Sequence, residues 1–326
     1  MKILFIGGTG VISSACSDLC VHKGYELWLI TRSNSFRPVP HGAKLLKADI
    51  RKAQEVNSVL GDHKFDVIVD FISFETLHLQ NNLKLFKNRF KQYVFISTAS
   101  AYHKPVLNLP ITESTPLKNP FWEYSRKKIA CEEYLMAEYV TNGLPVTIVR
   151  PSHTYDKTMV PLPLGRFTSL YRLMNQQKII IHGDGTSLWT LTHHHDFAVG
   201  MVGLLGNYKA LGESFHITSG EILNWNEIVA TYGYLLGIEP QIVHIPSDFI
   251  ALHDTEWGDG LLGDKAHSKF FDNSKIKQFV PEFRPEIRWY QGAGEILEWY
   301  QAHPEHAKPD DKANRRIENI ITAYLK

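Results

Sequence analysis

The sequence predicts an α/β protein, a doubly wound parallel sheet with a smaller, irregular α+β lobe attached to it. Three observations carry this. Short aliphatic and β-branched runs alternate with amphipathic stretches through the first half of the chain. Those runs are apolar on both faces, as in Val67-Ile68-Val69. A glycine-rich turn, Gly7-Gly8-Thr9-Gly10, stands between the first run and the first amphipathic stretch. A strand apolar on both faces belongs in a sheet covered by helices on either side, which is where parallel strands are found.

Taken in order, Lys2 to Ile6 reads as the first strand and Val11 to Lys23 as the first helix. Glu26 to Thr31 and Lys44 to Ala48 follow as strands, then Val67 to Phe71, Tyr93 to Ser97 and Val146 to Arg150. Helical segments lie between them around Val56, from Leu79 to Phe86 and from Lys127 to Tyr139. The arrangement is Rossmann-type and assigns residues 1–155 to a dinucleotide-binding domain. Past Arg150 the rhythm stops, and Pro151, Pro161 and Pro163 interrupt the chain. Residues 156–326 are expected to form mainly a substrate-binding lobe. Segments near 193–218 are expected to return to the first domain, Phe215 to Ile217 as a strand. Ile317, Ile320, Ile321 and Tyr324 recur at helical spacing opposite Arg315, Arg316 and Lys326, the pattern of a docked helix rather than a basic tail.

A chain of 326 residues buries roughly three quarters of its unfolded surface and needs no staples to fold. Its 44% hydrophobic and 21% charged residues exclude a disordered chain, a coiled coil and a collagen. Thirty-five basic against 34 acidic residues give a net charge of +1, so no nucleic acid or membrane partner is expected on electrostatic grounds. Cys16, Cys20 and Cys131 form no paired framework, which fits a reducing compartment. Cys16 and Cys20 read as buried core thiols. The run Ile3 to Ile6 is too short for a signal or a membrane span, so a cytoplasmic location is expected.

The glycine turn lies where a dinucleotide fingerprint must lie. Gly7 permits the tight turn, and Gly10 lets a pyrophosphate approach the helix N-terminus, with Thr9, Val11 and Ile12 beside it. Ser13 occupies the third glycine position, where it holds helix and strand slightly apart. The second strand ends in Thr31, Arg32 and Ser33, a neutral residue followed by a cation, where a carboxylate would select NAD. The expected cofactor is therefore NAD(P), with NADP(H) favoured over NAD(H). Asp49, followed by Ile50, is placed either to accept from the adenine amino group or to cap a helix ahead of Arg51.

Tyr124 and Lys128 stand four residues apart at the start of a helix, hence on one face of it. An ammonium close to a phenol stabilises phenolate and makes tyrosine a usable acid/base. Upstream, the fifth strand ends in Ser97-Thr98-Ala99-Ser100, hydroxyls able to hold a substrate oxygen beside Tyr124. His193-His194-His195-Asp196 does not read as a metal site, because adjacent residues on an extended chain alternate faces. Asp196 reads instead as the cap of a helix from Phe197 to Leu205.

With these residues in place, the whole chain resembles an extended short-chain dehydrogenase/reductase of the NAD-dependent epimerase/dehydratase group. The loop from Ile111 through Pro120 is similar to the family's segment leading into the catalytic tyrosine. Arg150-Pro151-Ser152-His153 resembles its Arg-Pro-x-Asn segment, and Gly183-Asp184-Gly185 its turn in the substrate lobe. The resemblance implies that Thr98, Tyr124 and Lys128 form the catalytic triad, with Lys128 also on the nicotinamide ribose. It further implies that Phe71, Pro151 and His153 lie along the cofactor. Members acting on nucleotide sugars carry an arginine after the Gly-Asp-Gly turn; Trp189 stands there, leaving Arg166 as a cation from elsewhere. Ser100, His153 and Trp189, joined by Tyr155, then suggest a smaller, less anionic substrate. The acidic pair that dehydratases carry after the catalytic threonine is replaced by Ala99 and Ser100.

The implied activity is that of an oxidoreductase or epimerase acting at a secondary alcohol or ketone of a small, sugar-like substrate. The turn ending in Ser13 also resembles a subgroup that includes chloroplast stem-loop RNA-binding proteins. The alternative is therefore a catalytically silent nucleotide-binding protein that binds RNA or a protein partner. Ile129, Leu135 and Met136 serve a core or a homodimer interface equally well.

Overall fold

A computed structural model describes residues 1–164 and 167–326. Its centre is a seven-stranded sheet. β1 (Lys2–Ile6), β2 (Glu26–Thr31), β3 (Lys44–Lys47), β4 (Val67–Asp70), β5 (Gln92–Ile96) and β6 (Val146–Pro151) are joined by the returning strand Ser214–Ile217. Across the sheet the order is Ser214–Ile217, β6, β5, β4, β1, β2, β3, and every pairing is parallel. The order reverses between β1 and β4, so a crevice opens beyond their carboxyl ends, the place where such sheets bind ligands.

Strand side chains alternate between faces. Ile3, Phe5, Val67 and Val69 point to one side and pack with Ala15, Cys16 and Cys20 of α1 (Val11–His22) and with Phe197 and Met201 of the helix His194–Gly203. Leu4, Ile6, Ile68 and Phe95 point to the other. There they meet Val56 of α2 (Ala53–Leu60), Leu79 of α3 (Thr76–Leu85) and Leu135 of α4 (Glu123–Asn142). Ile129 and Leu135 are thus buried within the chain, and Met136 packs against the same core.

The second lobe has its own core around Trp189, Trp225 and Trp289, all fully buried. Among the described residues it contains only short strand pairs, such as Ile179–His182 beside Ile242–Ile245. The C-terminal helix Asp311–Tyr324 docks through Ile317, Ile320 and Ile321, while Arg316 pairs with the Asp254 carboxylate. The helix expected from Phe197 begins earlier, at His194, with His193 at its cap, because Asp196 turns away to accept from the Ile287 backbone N–H at 3.0 Å. Among the described residues no helix is long and apolar enough to cross a membrane.

Candidate active site

The turn from β1 into α1 forms the floor of a cleft of about 570 Å³. Gly7 adopts φ +80°, and a Cβ there would lie 2.7 Å from the Ile72 side chain, so the turn admits only glycine. Gly10 caps α1 without a side chain, which leaves the helix's first N–H groups open to an anion. Ser13 is buried and its Oγ accepts from the Gly10 N–H at 2.8 Å, so the hydroxyl is used to build the turn. The cradle, the open helix end and the adjoining elongated cleft fit a dinucleotide.

Thr9, Thr31, Arg32, Asp49, Ile50 and Phe71 line this cleft with Gly7 and Gly10. Ser33 does not. It sits outside at φ 59°, its N–H on the Thr31 hydroxyl at 3.1 Å. Asp49 accepts from the Arg51 N–H at 3.0 Å and caps no helix, since α2 starts only after Lys52. Two residues that sequence reasoning missed, Arg37 and Arg51, join Arg32 on the wall, and Asp49 is the one carboxylate among the described lining residues. Arg37 reaches across to Asp156 at 2.8 Å and to Thr158, tying the loop after β2 to the second lobe. That pairing explains an aspartate at position 156.

A second cleft, about 560 Å³, continues from the first past Gly10, Val11, Ile12 and Phe71. Thr98, Ser100, Tyr124, Pro151, His153 and Trp189 all line it. Thr98 follows the end of β5 and caps the short turn Ala99–Ala101. Its hydroxyl lies 3.0 Å from that of Ser100, which in turn lies 2.7 Å from that of Ser125. Tyr124, in the first turn of α4, lines the same cleft, close enough to Thr98 for that hydroxyl to lower the phenol's pKa. The spacing of strand end and helix start therefore brings phenol and threonine hydroxyl together, as a proton-exchanging pair requires.

Lys128 lies one turn along α4 from Tyr124. It is buried, and its Nζ donates to the carbonyls of Ser73 at 2.7 Å and Ile96 at 2.6 Å, above the Phe95 ring at 4.6 Å. Burial brings its pKa down to about 8. Burial likewise raises the Tyr124 phenol; the neighbouring Thr98 hydroxyl pulls it down and the Asp264 charge pushes it up.

His153 and Trp189 form one unit, the indole Nε1 donating to His153 Nδ1 at 3.0 Å. An indole N–H only donates, so Nδ1 carries no proton and Nε2 does. Burial, with Lys265 and Lys269 nearby, holds the imidazole neutral at a pKa of about 3. Tyr155 is not on the cleft; it is packed edge-on against Trp289 and His193 in the second core. Arg166 lies outside the described residues. The three histidine rings pack within 4.2–5.2 Å of one another, and His193 also reaches Glu295 and His194 the Val11 carbonyl, each at 3.1 Å.

Sequence reasoning also missed the far wall of this cleft, which Trp122, Asp264, Lys265 and Lys269 supply. No periodicity marks the last three. The one available sign was their charge inside the glycine-rich stretch from Trp257 to Lys269.

Residues 3–218 match the model of the NAD dependent epimerase/dehydratase family. The chain is 27% identical over 308 residues to the chloroplast stem-loop binding protein of 41 kDa b of Arabidopsis thaliana, spanning 89% of this chain and 77% of that protein. It is 21% identical over 290 residues to the 2'-dehydrokanamycin reductase of Streptomyces kanamyceticus, spanning 87% and 80% respectively. Its fold superimposes with a TM-score of 0.74 on the UDP-glucuronic acid 4-epimerase of Bacillus cereus, solved with UDP-glucuronic acid and NAD, at 18% identity over 93% of this chain and 99% of that one. The chain belongs to the NAD-dependent epimerase/dehydratase family.

Proposed function

We propose that the protein is an oxidoreductase that moves a hydride between dissociable NADP(H) and the carbon of a secondary alcohol or its ketone. The observation that carries this is that Thr98 and Tyr124 both line the cleft that continues from the glycine turn. Family membership supports a nicotinamide cofactor. The surplus of cations over carboxylates around Thr31 and Arg32 supports its 2'-phosphate form.

When bound, the cofactor supplies or accepts the hydride. The rest is done by this chain's own groups. The Tyr124 hydroxyl exchanges the proton of the substrate oxygen, and Thr98 holds that oxygen in line with the phenol. The Ser100 and Ser125 hydroxyls pass hydrogen bonding from Thr98 into the protein and fix its rotamer. Lys128 anchors α4 to the ends of β5 and β4 through Ile96 and Ser73, and so fixes where the phenol points. Ala99 and Ser100 supply no acid/base pair for eliminating water, which argues against dehydration.

Epimerisation with a retained NAD would use the same pair and is favoured only by the family, not by the arginines at the ribose end. The relation to a stem-loop binding protein supports a second reading, a nucleotide-binding protein without chemistry. Tyr124→Phe separates the two. Hydride transfer should fall by about 100-fold or more while NADPH binding is unchanged. A variant that turns over ketones at the wild-type rate would overturn the assignment.

A further inference from the structure

Three ammonium groups crowd one carboxylate at the far wall of the second cleft. Asp264 Oδ1 takes Lys269 Nζ at 2.6 Å and Lys104 Nζ at 3.8 Å. Lys104, Lys269 and Asp264 are all buried, at 1%, 1% and 7% exposure. Lys104 turns inward, donating to the Tyr102 carbonyl at 3.2 Å. Lys265, by contrast, lines the cleft, and among the described residues no carboxylate lies within 4 Å of its Nζ. Its ammonium sits 5.5 Å from the Trp122 ring centroid, and that of Lys269 sits 4.0 Å from the Trp189 centroid. His153 beside them is neutral. The cluster therefore carries a surplus of positive charge, and a charge crowded away from water is stable only when paired.

We propose that the substrate carries a compact oxyanion, a carboxylate or a phosphate, which seats on Lys265 and Lys269 beside Tyr124. This rests on the hydride-transfer reading of the same cleft and names its substrate class. The seat shares its cleft with the reacting hydroxyl, since Tyr124, Lys265 and Lys269 all line it. It is not the cofactor's own pyrophosphate, whose seat is the Gly7–Gly10 turn on the other lobe. His153 lines the same cleft and, with Nδ1 taken by the Trp189 indole, offers a neutral N–H donor to the remainder of the molecule. A substrate that is less anionic, as Trp189 alone suggests, does not follow once these lysines are placed.

The test uses the NADP⁺-saturated full chain and reads binding by saturation-transfer NMR. The probes are 2-oxo-4-phenylbutanoate and its neutral counterpart 4-phenylbutan-2-one, with inorganic phosphate as competitor. The acid should bind about tenfold or more tightly than the ketone, and phosphate should displace it. Lys265→Met should abolish the preference without changing NADP⁺ binding, and Lys265→Arg should restore it. The tighter of acid and phosphate tells which oxyanion the seat prefers. Equal affinity for acid and ketone in the wild type, or a preference that survives in Lys265→Met, overturns the proposal. Tyr124→Phe should keep the preference. Loss of hydride transfer there concerns the catalytic reading alone, so the two fail separately.

Discussion

Glu132 lies one turn beyond Lys128 on α4, and its carboxylate meets the guanidinium of Arg150 on β6 out of contact with water. Side-chain exposures are 3% and 6%, and the contacts measure 3.1 Å from Nε to Oε1, 3.0 Å from Nε to Oε2 and 2.6 Å from Nη2 to Oε2. Ser97 at the end of β5 donates to the same carboxylate, and Tyr102 stacks under the guanidinium at 4.9 Å. The pair therefore bolts the helix bearing Tyr124 to two strands at once. Glu132→Ala leaves a buried guanidinium without its counter-charge, a loss worth about 3–5 kcal/mol. A chain of 326 residues has an unfolding entropy of about 0.7 kcal/mol/K at roughly 2.1 cal/mol/K per residue, so Tm should fall by about 4–7 °C.

Differential scanning calorimetry reads this, with urea unfolding as the check on free energy. The double variant Glu132→Ala/Arg150→Met should recover a large part of the loss, since no charge is then left stranded. A single variant within about 1 kcal/mol of wild type would refute the reasoning. So would a double variant as unstable as the single one.

Three further outcomes are expected. Arg32→Ala should weaken NADPH binding by about tenfold, the low end for a hydrogen bond to a charged group at an exposed site, and leave NADH binding unchanged in parallel fluorescence titrations. Asp156→Asn should loosen the loop that Arg37 ties across the nucleotide cleft. It should raise the KM for NADPH more than it lowers kcat, and equal effects on both would place the tie in the chemistry instead. Burial, the main cause in each case, lowers His153 and His194 to about 3 and His182 and His216 to about 4. Unfolded histidine takes up its proton below about 6.5, which the folded protein resists, so stability falls on acidification from there toward 4. Each such group costs about 1.4 kcal/mol per pH unit. A Tm that stays level between pH 7 and pH 5 would contradict it.

The sheet and its ligand edge were legible because burial writes itself into sequence when it is periodic. Val67-Ile68-Val69 can sit only between two helical layers, and Gly7 marks a backbone angle that other residues avoid. Thr98 and Tyr124 were legible for a related reason, one closing a strand and the other opening a helix, so the fold places them without further help. Lys265 and Lys269 were not. They reach the cleft from a segment that no period describes, far along the chain, held by Asp264 and two indole faces that come together only on folding. Lys128 shows the opposite limit. Its spacing from Tyr124 was read correctly, yet the carbonyls of Ser73 and Ile96 claim its donors, a tertiary contact that helical spacing alone does not reveal. Asp156 is likewise placed by a tertiary contact, as the partner of Arg37.

The most direct test of hydride transfer through NADP(H) is a paired titration of freshly purified wild-type protein with NADPH and NADH, after mass spectrometry of whatever nucleotide is released on denaturation. Protein that releases no stoichiometric nucleotide and binds NADPH about tenfold or more tightly than NADH is the expected result. Stoichiometric NAD in the denatured sample would contradict it and make the protein an epimerase that keeps its cofactor. Failure to bind either nucleotide would contradict both enzymatic readings.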